Sequence, residues 1–600
     1  MTIDLKTPCS LPSWDLTDLY SSVGDPKIKE DFDKALEKSE RFKIKYQNKI
    51  ETLSANTLSL AIAELEKINE IYFKGIIFAH LLHAADSSKK ENGALFSELN
   101  HQATKIKENL TFFDLEISNL SQTKINKLLE SFELKKYKHF VETTRKFKPY
   151  QLSEKEEILV QKLSLTGSEA WSRLFDETLA RTRFKLKIKG EEKELSEEET
   201  LSLAYSPDRQ VRKSAALALT RGLKENAHLL NYIFSTLTQD FFIEDSFRKY
   251  EHPKKRRNLS NEISDQSVEN LLSVTLEQKN LVPRFYKLKT KILKLKKLYD
   301  YDRYAPLGLL EEKKWTWTEA KNFVLEAYQE FDPEFGSIVK EFFEKNWIDA
   351  QLRPGKIGGA FSASATSDTH PYILVNFTGT TRDVSTLAHE LGHGIHQYLS
   401  RKVGFLQSDT PLTTAETASV FGEMLIFDRM LRKSQSKQEK LGLIVTKIDE
   451  IIATVFRQVC MTKFEEKLHA QRREIGELNL EEINKIWLEE NQKIYQDSVE
   501  LTENYGYWWL YIPHFIHSPF YCYAYAFGLL LSITLYEKSK SSGIEFKEQY
   551  KEILSAGGSI EPIELIKKAK IDISEADFWK QSFALIENLL EQAEEISKQI

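Results

Sequence analysis

The chain has 600 residues, 41% apolar and 29% charged, with only 23 Gly and 15 Pro; so few helix breakers over such a length predict a mainly α-helical protein with a large buried core. Lys and Arg number 84 against 90 Asp and Glu, a formal net charge of −6, too mild to make nucleic acid or an anionic membrane the obligatory partner. The three cysteines, Cys9, Cys460 and Cys522, are widely spaced and form no CxxC pair, which speaks against a disulfide framework or a thiolate metal site and fits a reducing compartment.

The opening stretch, MTIDLKTPCSLPSWDLTDLY, lacks a basic start followed by an unbroken apolar run, so no secretory signal is expected and the expected location is the cytoplasm. From Asp31 to about Leu134 apolar residues recur at helical spacing and predict several consecutive helices. Helical patterns continue to about residue 180, and then RFKLKIKGEEKELS alternates around Gly190, a hairpin-like insert near 183–196. This insert closes an expected N-terminal helical region, 1–200, ahead of an expected catalytic region, 201–600.

SPDRQVRKSAALALTRGL reads as a capped helix opening at Ser206-Pro207. Two basic runs follow, HPKKRRN (252–258) and KLKTKILKLKKL (287–298); they read as a solvated loop and as the wet side of an amphipathic helix. Between Gln351 and Gly379 the texture turns glycine- and serine-rich, predicting a flexible loop, Gly355 to Thr369, and then a strand, Tyr372 to Phe377. The helical period returns from Thr380 to the C-terminus, with a turn at AGGS (556–559). Asn504 to Tyr536 carries no Lys, Arg, Asp or Glu, but its uninterrupted part after Pro519 is 17 residues, short for a bilayer span, so a buried helix is expected and no membrane insertion.

LAHELGHGIHQYL (387–399) carries the chemistry. Thr380 or Thr381 is placed to cap a helix here, with Asp383 favourable in its first turn. His389 and His393, at i,i+4, share one face and can converge on one zinc ion, the HExxH arrangement. Glu390 points beside the metal, where it is placed as general base for a water. His396 lies seven residues after His389, about 10.5 Å along the axis, so it is read as support or packing rather than a ligand. A three-histidine pattern would need Gly at 396 and His at 399, where this chain has His396 and Leu399. The third ligand must come from elsewhere. In TTAETASVFGEMLIFDRML, Glu416 and Glu423 share one face at i,i+7 among apolar neighbours, which favours Glu416 as ligand and Glu423 as the partner behind the ligands.

Together these residues resemble the thimet oligopeptidase and oligoendopeptidase F group of zinc metallopeptidases, and oligoendopeptidase F in particular. SWDLTDLY (13–20), GKIGGAFS (355–362), HPYILVNF (370–377), HELGHGIH (389–396), ETAS (416–419), AGGS and DFW (577–579) carry the likeness over most of the chain. The resemblance implies a large multi-helix peptidase fold, with a small β element beside the zinc helix and a deep channel that admits short peptides. It implies one zinc ion per chain on His389, His393 and Glu416, with Glu390 as base. IPHFIHSPFYCYAYAFG (512–528) resembles the family's segment that brings a histidine and tyrosines to the substrate; His514 and Tyr523, with Tyr521 next, are the expected oxyanion donors, while Tyr525 and His517 are left between that role and packing. Gly358, Gly359 and Ala360 are expected in a substrate-side loop, and Ile373, Leu374 and Val375 in a strand whose edge takes an extended peptide. The expected activity is internal cleavage of short peptides; a catalytically inactive peptide-binding protein with structural zinc and a zinc exopeptidase are the alternatives.

Overall fold

The computed structural model describes residues 11–188, 190–309 and 313–600. They divide into two compact units, each assembled from three stretches of chain: the described residues within 11–148, 313–432 and 535–572 in the first, and within 149–309, 433–534 and 573–600 in the second. The boundary expected at 200/201 falls inside a helix, Glu197–Ser202, of the second unit. Among the described residues no helix is long and apolar enough to cross a membrane.

In the first unit, the N-terminal helical periodicity becomes three packed helices, Pro26–Tyr46, Ala55–Ala85 and Lys90–Asn119. The first two start at side-chain caps, Asp25 and Ser54, each accepting a backbone N–H of its first turn. Their shared core holds Phe32, Phe42, Leu58, Ile62, Phe113 and Ile117, all essentially without solvent contact; burying such side chains contributes roughly 1.5–3 kcal/mol each.

A three-stranded sheet belongs to the same unit. Its strands are β3 (Ile348–Asp349), β4 (Phe361–Ala363) and β5 (Tyr372–Leu374), counting after the hairpin strands β1 (Phe184–Ile188) and β2 (Glu191–Leu195) of the other unit. The order is β3-β5-β4, parallel on one side of β5 and antiparallel on the other. The outer side of β3 is occupied, because Ala350 N–H donates to Pro12 O at 2.8 Å and Asp15 N–H to Asn346 O at 2.9 Å. Among the described residues no strand pairs with the outer side of β4, which is therefore the open edge.

The segment before β4, expected to be flexible, is pinned. Lys356, 1% exposed at its side chain, donates from Nζ to Asp349 Oδ1 at 2.7 Å, Val375 O at 2.8 Å, and the carbonyls of Asp349 and Gln351 at 3.1 Å each. Ser87 N–H reaches Gly355 O at 2.7 Å and Ile357 N–H reaches Ala84 O at 3.0 Å. The sequence signal for flexibility was composition, and hydrogen bonds to distant segments leave no trace in composition.

In the second unit, a 40-residue helix, Arg209–Arg248, is capped by Asp208, two residues beyond the expected start at Ser206-Pro207. The expected hairpin forms as β1 and β2, paired from Phe184↔Leu195 to Ile188↔Glu191, and packs on this helix. The core here is aromatic, with Phe234, Phe464, Trp487, Trp509 and Phe515 in mutual ring contact.

Candidate metal centre

Thr380 starts the helix Thr381–Ser400 through a capping box: its hydroxyl accepts the Asp383 N–H, and the Asp383 carboxylate accepts the Thr380 N–H at 3.0 Å. Val384, Leu387, Ala388, Leu391 and Ile395 bury one face, which fixes the helix's rotation and brings His389 and His393 to its edge. The two rings lie 4.8 Å apart. Nε2 of each stands 3.5 Å from the same oxygen, Glu416 Oε2. Four ligands at about 2.0–2.2 Å around a tetrahedral ion stand roughly 3.3–3.6 Å from one another, so the two His–Glu separations suit zinc. Among the described residues no other group of three such side chains comes together.

Glu416 and Glu423 are not on one continuous helix, as the sequence suggested. Leu412–Ala415 is a single turn, residues 416–418 are non-helical, and the next helix is Ser419–Lys433. Glu416 caps the first piece and takes a hydrogen bond from Ser419 Oγ at 2.8 Å. The break lets the turn lie directly on the motif helix at Gly392, where a Cβ would fall 2.3 Å from Ala418 O. One turn further, Gly422 meets the Tyr328 hydroxyl, which donates to Ala388 O at 2.6 Å.

Glu423 Oε1 lies 2.7 Å from His389 Nδ1. A Nδ1–H donated to this carboxylate leaves the Nε2 lone pair for the metal and holds the ring in place. Burial alone would lower the His389 pKa, but the Glu423 hydrogen bond and the charges of Glu423, Glu416 and Glu390 raise it to about 9. Glu390 is 6% exposed; burial first, with Glu416 and Glu423 adding and His389 opposing, pushes its carboxyl up to about 7. Three carboxyl groups enclosed with two imidazoles are a donor set that calls for a cation. Replacing Glu423 with Ala is expected to weaken metal affinity about 10–100-fold, measured by competition with a chelator; unchanged affinity would remove Glu423 from this role.

His396 lies outside the group of three. It is 5% exposed, burial drives its pKa to about 3, and its ring meets the Ala415 backbone, next to Glu416. The neutral ring thus sits behind the ligand turn.

The second unit holds the other candidates. His514 Nε2 lies 3.1 Å from the Tyr525 hydroxyl, and the Tyr521 ring packs on both, 5.7 Å from His514 and 4.9 Å from Tyr525. All three are partly exposed. Tyr523 must be withdrawn from them: it is fully buried, donating to Asn258 Oδ1 at 2.7 Å and accepting from Asn261 Nδ2 at 2.9 Å. Residue 523 opens a helix, so 521 and 525, on either side of it, emerge on the face that 523 leaves. His517 pairs with Asp176 at 2.8 Å on the surface.

The expected peptide strand also needs correction. Ile373, Leu374 and Val375 are 0%, 0% and 3% exposed, and β5 is paired on both sides, so neither side chain nor edge is free for a ligand. Gly358 and Gly359 are exposed and Ala360 is half-buried, all just ahead of the open strand β4. Gln397 of the motif helix ties β4 down, donating to Ser362 O at 3.1 Å and accepting from Ser362 Oγ at 2.7 Å.

Residues 202–585 match the profile of peptidase family M3, and residues 116–184 that of oligopeptidase F. The chain belongs to peptidase family M3. Oligoendopeptidase F (chromosomal) of Lactococcus lactis subsp. cremoris is 28% identical over 97% of this chain and 97% of its own. Oligopeptidase PepF of Bacillus subtilis is 28% identical over 92% of this chain and 82% of its own. In three dimensions the chain is similar to a putative peptidase from Chlamydophila abortus, with a TM-score of 0.84, 26% identity and 99% of both chains covered. Oligoendopeptidase-F from Enterococcus faecium superposes with a TM-score of 0.73 at 22% identity, over 96% of this chain and 99% of that one.

As an M3 peptidase the chain is a metallopeptidase hydrolase with a mainly helical fold. Four residues of this M3 peptidase that shape the site escaped the sequence reading: Gly392 and Gly422, Tyr328 and Gln397. The two glycines stood in plain view within HELGH and VFGEM; that both fall where helix and turn meet was the usable signal.

Proposed function

We propose that this M3 peptidase is a zinc-dependent endopeptidase of the cytoplasm that cleaves internal bonds of short, extended peptides. The observation that carries the reading is the convergence of His389, His393 and Glu416 beside the buried Glu390. A purely structural zinc is closed by four protein ligands and has no use for a neighbouring base. The cytoplasmic assignment is supported by the two described cysteines, Cys460 and Cys522, which are buried and unpaired.

When bound, zinc supplies Lewis acidity to the scissile carbonyl and lowers the pKa of an attacking water toward ~7. Glu390 accepts the proton of that water and returns it to the departing amine. His514 and Tyr521 offer N–H and O–H donors to the developing oxyanion; burial lowers the pKa of His514, so the ring is a neutral donor. The open edge of β4, tied to the motif helix by Gln397, aligns the substrate main chain, with Gly358, Gly359 and Ala360 beside it. Recognition through the main chain makes the enzyme broad in side-chain preference.

The test is digestion of a short peptide blocked at both termini, with and without a chelator. Internal cleavage that chelation abolishes and zinc restores is the expected result. No cleavage with zinc loaded would overturn the proposal, and cleavage only of free-ended peptides would make the enzyme an exopeptidase. With Glu390 raised to about 7 in the metal-free site, and a bound cation drawing it lower, kcat/KM should fall about tenfold per pH unit once pH drops below that pKa, a limb that a Gln at 390 would lose.

A further inference from the structure

The basic run HPKKRRN and one buried glutamate are left without a role by the reading so far, and they converge on one turn. The turn is residues 518–522, between His514–His517 and the helix beginning at Tyr523. Phe520 sits in it at φ +59°, a left-handed conformation that a bulky side chain adopts at a cost of order 1 kcal/mol or more. Its N–H donates to Glu465 Oε1 at 2.8 Å, while Glu465 Oε2 is buried with no hydrogen-bond partner among the described residues. Glu465 is 1% exposed, on the helix Arg457–Ile475. From another side comes the helix Lys255–Ser260, formed within the basic run rather than the expected loop. Arg257 Nε donates to Pro519 O at 3.3 Å, and its guanidinium lies 5.8 Å from the centre of the Tyr521 ring. Asn258 and Asn261 hold the hydroxyl of Tyr523.

Residues 519, 520, 521 and 523 are thus each gripped by a polar or cation–π contact from outside the turn, and the residues the grip displays are Tyr521 and, through Tyr523, Tyr525. We propose that Glu465 and Arg257, with Asn258 and Asn261, are positioning residues: they hold a strained turn in the one conformation that aims Tyr521, Tyr525 and His514 at the substrate. The inference rests on the reading above that His514 and Tyr521 act on the scissile group.

The chemistry of Glu465 suits a fixed acceptor better than a charge. Burial raises its pKa to about 8, against the Phe520 N–H and the charge of Arg257, which lower it, with Glu466 adding; at neutral pH the carboxyl is mostly protonated and accepts through its carbonyl oxygen. A glutamine can reproduce that bond and a leucine cannot. Arg257 is tested by methionine. Methionine keeps its apolar stem while removing both the donor to Pro519 and the plane over Tyr521.

The experiment compares kcat and KM on the doubly blocked peptide for the zinc-loaded wild type and for Glu465→Gln, Glu465→Leu, Arg257→Met, Tyr521→Phe and the Arg257→Met/Tyr521→Phe double variant. Glu465→Gln should stay within about twofold of wild type, while Glu465→Leu and Arg257→Met lose about tenfold in kcat, with KM little changed, as expected of misplaced groups. In the Tyr521→Phe background, Arg257→Met should cost clearly less than in the wild type, because part of its effect acts through Tyr521. If Tyr521→Phe lowers kcat but Arg257→Met and a folded Glu465→Leu do not, the cradle is refuted and the role of Tyr521 stands. If Tyr521→Phe is as fast as wild type, that role falls and the cradle with it. Should Glu465→Leu fail to fold, Arg257→Met and the double variant decide; a Glu465→Gln as slow as Glu465→Leu overturns the acceptor account.

Discussion

Glu390→Gln is expected to lower kcat by roughly 10²–10⁴-fold while the protein keeps its zinc. The side chain is not among the three that converge on the cation site, and Gln fills the same volume, so metal content measured on the purified variant should match wild type. Stability separates this from a general loss of structure. In the metal-free protein the Glu390 pKa is about 7, above its ordinary 4.5; the folded state then binds more protons than the unfolded one, and stability falls as pH rises from about 4.5 to about 7. The Gln variant escapes that loss. Above pH 7, without metal, it should melt at a higher temperature than wild type. A variant that cleaves at the wild-type rate would remove Glu390 from the chemistry, and one that loses both zinc and activity would make it a structural residue.

Gly392→Ala should be as damaging by a different route. Helix propensity alone favours Ala over Gly by about 1 kcal/mol in a helix interior, so a reading confined to the helix predicts a more stable protein. The added Cβ would fall 2.3 Å from Ala418 O, 2.6 Å from Ser419 Cα and 2.7 Å from Ala418 C. All three are backbone atoms, which cannot rotate aside. Relief requires the turn 416–418 to retreat by about 1 Å, and that turn carries Glu416, the proposed ligand, 3.5 Å from both histidine nitrogens. Metal–ligand distances tolerate about 0.2 Å. Zinc affinity should therefore fall by about 100-fold or more, with activity falling in parallel, as a chelator titration would show. Wild-type affinity in Gly392→Ala would mean that the two segments do not meet as described.

What could be read in the sequence divides along physical lines. Helices were legible because period and caps are local: Thr380 with Asp383, and the apolar stripe beneath His389 and His393, need no distant residue to be recognised. The spacing of His389, Glu390 and His393 was legible for the same reason. Glu416 was identified by chemistry and family likeness, but its setting on a non-helical turn was not, because the break is imposed by packing on Gly392 and by Tyr550, whose hydroxyl donates to Thr417 O at 3.0 Å. β5 was recognised from its β-branched run, yet that run could not say whether the strand is an edge; three residues of β4 and the main chain near Pro12 decide it. Tyr521, Tyr523 and Tyr525 look alike in sequence. Only the asparagines 258 and 261, more than 250 positions away, make Tyr523 the buried member.

The amine of Lys356 offers a chemical clock. A lysine normally reacts with acylating reagents from the surface, but this one is sealed under four oxygen acceptors, two on Asp349 of β3, one on Gln351 just past it and one on Val375 just past β5. Acylation at Lys356 can proceed only in molecules whose segment 355–360 has lifted away, so its rate relative to surface lysines counts those openings. A peptide that pairs with β4 would hold the segment down and slow the labelling, and the size of that slowing would report occupancy of the strand edge in the Glu390→Gln variant.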